Sequence, residues 1–518
     1  MKKSFKAKGL LITLLILLIT IPAGCAPSGT GQPAGSTGAP GRTAAELEEA
    51  ELSMYLLGDP ARDEDLMLAE LNGLMSEELN ATLKIGWISW GEYQNKYQLV
   101  LASGEPIDLI YTSSWTFFAS SVAKGGFLPL DDLLANYAPK TWAGYREMVW
   151  EDARVNGKIY AVPQDYDEMG PWGYVVRGDM MDKYNVPEIK TLEDFEVYLD
   201  AVGKDESGII PYNAGSFDMT VLPIFAGRHI CNSTHVSLDT AGVWSENTNN
   251  RGETYILADD PRYGQFLKLM RTWYEKGYWP ESVLQNKVNA FDSFVAGNSA
   301  SCIANTGDAN NIYAKVSETH PEWDVRYFEA YPQYPKEINI YINNAMAIPF
   351  SAKNPERAMM LLEKFHQDER YYDLIHFGIK GRNYEIDADG KVTLPRGVSA
   401  ADNGYLANAP GSWGLNDRKF FRPSAKNSPE IDAAVENMIQ KAVRNPLRGF
   451  IFRTDAVNSE VAECQELEAQ YVQPLTWGLV DPDKVLPEFR SKLHEAGIDK
   501  IKAEADKQIA EFLKSKKQ

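Results

Sequence analysis

The chain has 518 residues, of which 52 are basic and 72 acidic, so its formal net charge is −20 at pH 7. This length exceeds one ordinary hydrophobic core, so we expect two or more lobes. The acidic balance repels phosphate backbones, which argues against nucleic acid as a partner.

Residues 1–24 resemble a lipoprotein signal peptide. Lysines precede an apolar run from Leu10 to Ile21, which is about half the length that a transmembrane helix needs. Ala23-Gly24-Cys25 resembles a lipobox, in which the cysteine thiol receives a diacylglyceryl group, although Pro22 stands where the motif usually has Leu. We therefore expect lipidation of Cys25 and attachment to the extracellular face of the cytoplasmic membrane, as in Gram-positive cells. A plain signal peptide and an uncleaved anchor are the alternatives.

Residues 25–45 are rich in Gly, Ser and Pro, which predicts a flexible linker. The body of the chain then alternates strand and helix patterns. We predict strands at 52–57, 82–88 and 106–111, with helices at 64–79 and 91–102. This repeated order predicts an α/β fold with mainly parallel sheets, in which ligands bind beyond the carboxyl ends of the strands.

Turn signals and helical periodicity continue to the end of the chain. Asn156-Gly157 and Asp389-Gly390 each predict a hairpin. Further helices are expected at 191–202, 261–276, 289–296, 355–367, 431–443, 459–471 and 500–514. No internal repeat of about 20–50 residues is present, which argues against a solenoid or propeller.

Motifs for catalysis and metal binding are scarce. The sequence has no His-Glu-x-x-His, no Gly-x-Ser-x-Gly and no P-loop, so we predict no catalytic residue and no cofactor. His229, Cys231 and His235 have the best spacing for a metal, but ordinary structural residues explain them better, and we predict no metal site. The calcium-like start at 387–390 lacks a distal Glu and is better explained as a turn. Cys231 and Cys302 are the most plausible disulfide pair.

Several segments resemble the extracellular solute-binding proteins of ABC importers, the family 1 type related to maltose-binding protein. The resemblance is carried by SGEPIDLIY at 103–111, KGGFLPLDD at 124–132, NGKIYAVP at 156–163, NNAMAIP at 343–349 and KNPERA at 353–358. Near the end of the chain, GFIF at 449–452, GLVDP at 478–482 and AGIDK at 496–500 resemble the C-terminal domain of unassigned function, DUF3502, of LplA-type lipoproteins.

The resemblance spans about residues 50–515 and implies a two-lobed periplasmic-binding-protein-like fold (type II) with interlobe crossovers and a helix-rich C-terminus. Lobe one would comprise 46–165 plus 345–400, and lobe two 170–340 plus 410–515, including the family-specific region 445–515. The crossovers would lie near 164–172, 339–347 and 403–421. These boundaries follow from the family layout.

The function implied by the resemblance is capture of a carbohydrate, in particular an oligosaccharide, in the interlobe cleft and its delivery to an ABC permease. We expect a monomer without enzymatic activity, whose contact with the membrane is its lipid anchor. A secreted glycoside hydrolase or lyase is the enzymatic alternative, since it would use acidic cleft residues such as the group Asp165, Asp167 and Glu168. A surface sensor or adhesin is the third possibility.

The family's ligand contacts come from strand ends and crossovers. Aromatic faces pack against the C–H faces of sugars, and polar side chains bind their hydroxyls. Trp172, between Pro171 and Gly173, is the favoured stacking platform. The full set of expected ligand-binding residues is Trp90, Ser113, Ser114, Trp115, Gln164, Asp165, Asp167, Trp172, Asn305, Asp308, Trp413 and Arg422. Alternatively, the tryptophans pack within a lobe, the serines cap a helix, the carboxylates are solvated loop charges, and Arg422 pairs with a protein carboxylate.

Overall fold

The computed structural model describes residues 47–516, apart from 206–207, 216–220, 222–223, 225–241, 247–252, 335, 401, 406–411, 444–445, 449 and 451. The predicted signal peptide, lipidation site Cys25 and linker lie outside the described residues, as do Cys231, His229 and His235. Among the described helices, none combines the length and apolarity needed to cross a membrane.

The described strands form two larger sheets and three two-stranded ribbons. In chain order they are β1 Ala50–Leu57, β2 Ala81–Ile88, β3 Leu109–Thr112, β4 Arg154–Val155, β5 Lys158–Ile159, β6 Val162–Pro163, β7 Trp172–Arg177, β8 Ile210–Tyr212, β9 Val243–Glu246, β10 Glu253–Ile256, β11 Ser299–Asn305, β12 Val325–Glu329, β13 Ala345–Ala347, β14 Glu385–Ile386 and β15 Val392–Thr393.

The helices cover the sheets and extend the C-terminal end. They are α1 Glu64–Leu79, α2 Tyr93–Ala102, α3 Phe118–Ala123, α4 Asp131–Tyr137, α5 Pro139–Gly144, α6 Glu147–Ala153, α7 Gly178–Tyr184, α8 Leu192–Gly203, α9 Pro261–Glu275, α10 Ala290–Val295, α11 Thr306–Thr319, α12 Pro355–Gln367, α13 Glu369–Phe377, α14 Pro429–Lys441, α15 Asn458–Thr476, α16 Pro482–Glu495 and α17 Ile498–Ser515.

The first lobe is built on a five-stranded sheet in the order β2-β1-β3-β13-β6. The strands β1, β2 and β3 are parallel, and β13 runs antiparallel to both β3 and β6. α1 buries Met67, Leu71, Met75 and Leu79, four residues apart, so one apolar stripe faces this sheet. The predicted helix at 64–79 is confirmed.

The second lobe contains a four-stranded sheet in the order β12-β7-β11-β8. Strand β7 is antiparallel to β11 and β12, and the parallel pair is β11 with β8. The prediction of mainly parallel sheets is therefore wrong for this lobe, because β7 enters from the first lobe and runs against its neighbours.

Both predicted hairpins are confirmed. β4 and β5 pair antiparallel around Asn156-Gly157, where both residues have positive φ, 52° and 82°. These angles suit the mirror-image turns that match the twist of paired strands. β14 and β15 pair around Asp387–Gly390, where the Asp387 carboxylate accepts hydrogen bonds from the backbone of Asp389 and Lys391. The calcium-like segment is thus a self-capped turn.

The C-terminal helices complete the second lobe rather than forming a core of their own. Trp477 is fully buried and its ring meets that of Trp279 edge-on at 5.4 Å. Gly478, at φ 67°, approaches so closely that a Cβ there would lie 2.4 Å from the carbonyl oxygen of Met270. Val461, Phe489 and Ile501 belong to the same buried cluster as Met270 and Trp273.

The chain crosses between the lobes three times. The first crossing joins β6 to β7, and the second joins β12 to β13. Beyond β15, Leu415 is fully buried in the first-lobe core. Ser428 contacts the second lobe, since its amide donates to Asn310 Oδ1 at 2.9 Å. The described part of the chain therefore makes its third crossing between Leu415 and Ser428.

Asp108, from the motif SGEPIDLIY, joins three parts of the first lobe. It is 3 % exposed and precedes β3. Its carboxylate accepts hydrogen bonds from the Ser53 amide of β1 at 3.0 Å and from the Asn354 amide before α12 at 2.8 Å. A carboxylate is suited to this place because each of its oxygens satisfies a separate backbone donor.

We expect Asp108→Ala to lower the free energy of unfolding by about 1–3 kcal/mol, because it leaves two partly buried amide donors without acceptors. Chemical denaturation checks this, with Asp59→Ala at an exposed loop position as the control. An Asp108 variant as stable as the control would contradict the assigned role.

Candidate ligand-binding site

Three tryptophans from separate segments meet at the carboxyl ends of the first-lobe strands. Trp90 follows β2, Trp115 follows β3, and Trp413 lies in a short 3-10 helix, Ser412–Leu415. The Trp90 ring stacks on Trp115 with centroids 6.1 Å apart and on Trp413 at 5.7 Å. Trp90 is still 40 % exposed, so this tryptophan cluster presents an aromatic surface to solvent.

Neighbouring groups fix the tryptophan cluster. The indole Nε1 of Trp115 donates to the carbonyl oxygen of Asn343 at 2.9 Å, and the ring of Tyr93 meets Trp90 edge-on at 6.0 Å. Beside Trp413, a Cβ on Gly414 would lie 2.6 Å from the carbonyl oxygen of Ala345 in β13. Glycine at this position therefore lets the segment carrying Trp413 lie directly against the sheet.

Glu168, in the first crossover, accepts hydrogen bonds from the side-chain amides around it. Its Oε2 accepts hydrogen bonds from Gln164 at 2.9 Å, from Asn343 at 2.8 Å and from Asn344 at 3.1 Å. The Tyr111 hydroxyl donates to Asn344 Oδ1 at 2.5 Å. This half-buried carboxylate thus links the first two crossovers, and Asn343 connects it to the tryptophan cluster.

A second polar group is centred on Arg146. Its guanidinium donates to Asp165 at 2.7 Å and to Asp167 at 3.0 Å, and Tyr341 also donates to Asp167 at 2.6 Å. Burial disfavours the charged form of Asp167, but these hydrogen bonds outweigh it and hold the pKa below its ordinary value. Arg418, at the third crossover, binds the other oxygen of Asp165 at 2.9 Å.

The second lobe contributes Asn305 and Asp308 at the end of β11. Asn305 caps α11 by accepting the Asp308 amide at 3.0 Å, and its own amide donates to the Asp308 carboxylate at 2.6 Å. Burial raises the pKa of Asp308 to about 6; the hydrogen bond from Asn305 opposes this rise, and the charge of Glu168 adds to it. The Thr306 hydroxyl also donates to the Met169 carbonyl oxygen at 2.7 Å, so this end of β11 lies beside the first crossover.

Several of the expected ligand residues are enclosed by contacts within the protein. Ser113 is fully buried and its hydroxyl bonds that of Thr116 at 2.8 Å. Asp165 and Gln164 are each 1 % exposed, since the contacts above enclose them. Arg422 pairs with Asp373 at 2.5 Å and with Glu369, which is the protein-carboxylate alternative.

Trp172 was expected to lie in an exposed loop, because Pro171 and Gly173 flank it, but the structure places it differently. It begins β7, opposite Asn305 of β11, and is half-buried against the second-lobe core. It is therefore a strand residue rather than part of an exposed Gly/Pro loop. By contrast, Ser114 is exposed and its hydroxyl lies 3.4 Å from Asn343 Oδ1, beside the tryptophan cluster.

Four residues of the site were not among the expected ligand-binding residues: Asn343, Asn344, Arg146 and Glu168, the last having been considered only for the enzymatic alternative. Asn343 and Asn344 stood inside a segment that carries the family resemblance, and Glu168 follows the predicted carboxylates directly. Their position in a predicted crossover could therefore have identified Asn343, Asn344 and Glu168 as site residues. Arg146 precedes α6, and no pattern in the sequence links it to the carboxylates of the first crossover.

Metal binding has no support in the described part of the chain, where no cluster of His, Cys, Asp and Glu has the arrangement to hold an ion. Cys302 is buried in β11 and its proposed disulfide partner lies outside the described residues. The donors that remain at the site are hydroxyl, amide and carboxylate groups beside aromatic faces.

Two α/β lobes, three crossovers and a polar and aromatic site between strand ends define a two-lobed binding protein. The chain matches the family of bacterial extracellular solute-binding proteins over residues 65–365 and belongs to that family. Residues 446–514 match a domain of unknown function, DUF3502.

Relatives and solved structures agree with this assignment. A carbohydrate ABC transporter substrate-binding protein of Streptococcus pneumoniae serotype 4 (strain TIGR4) is 26 % identical over 96 % of this chain and 97 % of its own. Lipoprotein LipO of Bacillus subtilis (strain 168) is 24 % identical over 60 % of this chain and 63 % of its own. The N-glycan transport solute-binding protein NgtS of S. pneumoniae, solved with Man1GlcNAc, is similar in fold with a TM-score of 0.74 and 21 % identity, covering 90 % of this chain and 100 % of NgtS.

We expect Asp308→Asn to change the pH dependence of stability. The native pKa of about 6 exceeds the unfolded value, so the native state binds more protons and wild-type stability falls as pH rises from about 4 to about 6. Asn cannot ionise, so relative to wild type the variant should gain about 1–3 kcal/mol between pH 4 and pH 7.5.

Urea denaturation across this pH range measures the difference, and Asp59→Asn at an exposed position is the control. A variant whose stability follows the same pH profile as wild type would show that Asp308 does not titrate abnormally.

Proposed function

We propose that this chain is the ligand-binding component of an ABC importer for carbohydrates and that it binds an oligosaccharide between its lobes. Membership of the solute-binding protein family supports the binding role. The names of the relatives support the carbohydrate class, since one is a carbohydrate ABC transporter substrate-binding protein and another was solved with Man1GlcNAc.

The tryptophan cluster is the observation that carries the proposal. Trp90, Trp115 and Trp413 come from three segments and converge on one partly exposed surface. The apolar face of a sugar ring packs on such a surface, because the aromatic face attracts the C–H groups. The carboxylate of Glu168 and the amides of Asn343 and Asn344 supply hydrogen-bonding groups for hydroxyls nearby.

Ligand capture would work by closure of the lobes. A sugar that contacts both the tryptophan cluster and Asn305 or Asp308 of the second lobe binds the closed arrangement better than the open one. It therefore shifts the population toward closure, and a permease distinguishes the two forms. The chain acts as a monomer in this scheme.

The binding role does not include turnover. Of the three carboxylates of the enzymatic alternative, Asp165 is enclosed by Arg146 and Arg418, and Glu168 accepts hydrogen bonds from three side-chain amides. Asp167 is hydrogen-bonded by Arg146 and Tyr341, which hold its pKa below the ordinary value, so it is poorly suited to donate a proton as a general acid. We expect oligosaccharides recovered from the protein to be chemically unchanged by mass spectrometry; cleaved products abolished by Asp167→Asn would overturn this view.

We expect Trp90→Ala and Trp413→Ala each to weaken oligosaccharide binding by about tenfold or more, which corresponds to about 1.4 kcal/mol. Isothermal titration calorimetry with a panel of neutral oligosaccharides measures the effect, N-glycan fragments being the first to test. Trp142→Ala is a matched control, because Trp142 is a half-buried tryptophan of the same lobe whose ring contacts Trp150 at 5.5 Å.

The control variant should bind as wild type does. If Trp90→Ala, Trp413→Ala and Trp142→Ala all bind with wild-type affinity, the tryptophan cluster is not the ligand surface. If no carbohydrate in a broad panel shifts the melting temperature of wild type, the carbohydrate assignment itself fails.

We further propose that Cys25 is lipidated and holds the folded lobes at the outer face of the cytoplasmic membrane of a Gram-positive cell. The lipobox-like sequence and the LipO relative support this. In cells, Cys25→Ser should move the protein from the membrane fraction to the medium and abolish labelling by palmitate, while ligand affinity stays unchanged. A variant that remains in the membrane fraction would contradict lipidation at this residue.

A further inference from the structure

The start of the C-terminal domain of unknown function lies against the hinge. Residues 446–514 match this domain, and its helices share the second-lobe core. Leu447 and Phe452 are buried in that same core, on either side of Arg448. The backbone of Arg448 therefore belongs to the second lobe.

The side chain of Arg448 reaches the first lobe. Its Nε lies 3.0 Å from each carboxylate oxygen of Asp152, and its Nη2 lies 2.8 Å from Oδ2. Asp152 is part of α6, next to Trp150 and Ala153 of the first-lobe core. The side chain of Asp152 is 0 % exposed and that of Arg448 is 10 % exposed, so this ion pair between the lobes is largely shielded from solvent.

The same guanidinium holds the second crossover. It donates to the carbonyl oxygens of Ile338 at 3.4 Å and Asn339 at 3.1 Å, and lies 4.7 Å from the centre of the Tyr341 ring. Asp152 in turn accepts the Tyr341 amide at 2.6 Å. Arg448 thus contacts the first lobe and the second crossover at once, which places it between the lobes rather than at their rim.

The contacts continue to the other crossovers. The Tyr341 hydroxyl donates to Asp167 of the first crossover, and Arg146 joins Asp167 to Asp165. Asp165 is bound to Arg418 at the third crossover. A connected set of ion pairs and hydrogen bonds therefore leads from the C-terminal domain through all three crossovers.

We propose that the C-terminal domain sets the hinge of this protein, with Arg448 as the positioning residue that fixes the relative orientation of the two lobes. The domain of unknown function thereby has a role in controlling opening and closure. This inference concerns the geometry of the protein without ligand, so it stands whether or not the ligand is a carbohydrate.

Burial makes the pair sensitive to loss of either partner. A buried charge left without its counterion is strongly destabilising, whereas loss of a solvent-exposed pair has little effect. Burial raises the pKa of Asp152, and the charge and hydrogen bonds of Arg448 oppose this rise. Arg448 also binds the carbonyl oxygens of Ile338 and Asn339, so replacing it should release the second crossover and not only weaken one contact.

The test compares Arg448→Met, Arg448→Lys and Asp152→Asn in the full chain without ligand. Small-angle X-ray scattering reports the distribution of distances between the lobes, and hydrogen exchange reports the crossovers. The informative amides are those of Asn339, which donates to the Glu168 carbonyl, and of Arg418, which donates to the Asp165 carbonyl. These amides make no direct bond to the replaced side chains.

We expect the interlobe distances to broaden and exchange at both amides to become about tenfold faster in Arg448→Met and Asp152→Asn. Arg448→Lys should have a smaller effect, because lysine keeps the positive charge but lacks the forked guanidinium that makes several hydrogen bonds at once. Arg326→Met is the matched control, since Arg326 binds Asp182 at 2.8 Å within the second lobe. It should leave interlobe distances unchanged.

The proposal is overturned if the Arg448 and Asp152 variants lower the melting temperature but leave the distances and the crossover exchange as in wild type. That result would give the pair a purely local structural role. If Arg448→Met does not fold, Arg448→Lys and Asp152→Asn decide the question by the same measurements.

Discussion

One buried carboxylate, Asp165, joins the first and third crossovers. Arg146 and Arg418 bind its two oxygens, and its backbone pairs with the third crossover, so that the Asp165 amide donates to Asn416 and its carbonyl accepts from Arg418. A carboxylate at 1 % exposure is stable as an ion only when its charge is compensated in this way. The first and third crossovers are therefore held side by side by charge as well as by backbone hydrogen bonds.

The site follows from this arrangement. With the crossovers fixed, the third segment carries Trp413 onto Trp90, and the second segment brings Asn343 between Trp115 and Glu168. Each of these segments brings only one or a few residues to the site, and the segments are distant from one another in the sequence. Their convergence produces an aromatic surface bordered by amide and carboxylate groups, which is the chemistry that a carbohydrate requires.

Local patterns predicted the elements well, since helical spacing marked α1 and α12 and the Asn156-Gly157 turn marked its hairpin. Which polar residues would be free was not predictable from the sequence. Asp165 and Arg422 were plausible at a ligand, but their partners lie on other elements and enclose them. Ser113 is enclosed within its own loop, where its hydroxyl bonds that of Thr116. Trp90 and Trp115 were predictable as neighbours, because they follow parallel strands whose carboxyl ends lie at the same edge of the sheet. Arg146 was missed because its role depends entirely on contacts distant in sequence.

The interleaving of the two cores determines when each lobe is able to fold. The second-lobe core joins residues 174–331 with 431–509, and the first-lobe core joins residues 52–162 with 341–415. A chain emerging from its amino terminus completes neither core until long after the first sheet strands are made, since distant segments must still close on them. Much of the polypeptide therefore lacks its final packing while it is being synthesised. A chain of this kind stays extended enough to thread through a narrow channel until residues 341–415 close the first core and residues 431–509 close the second.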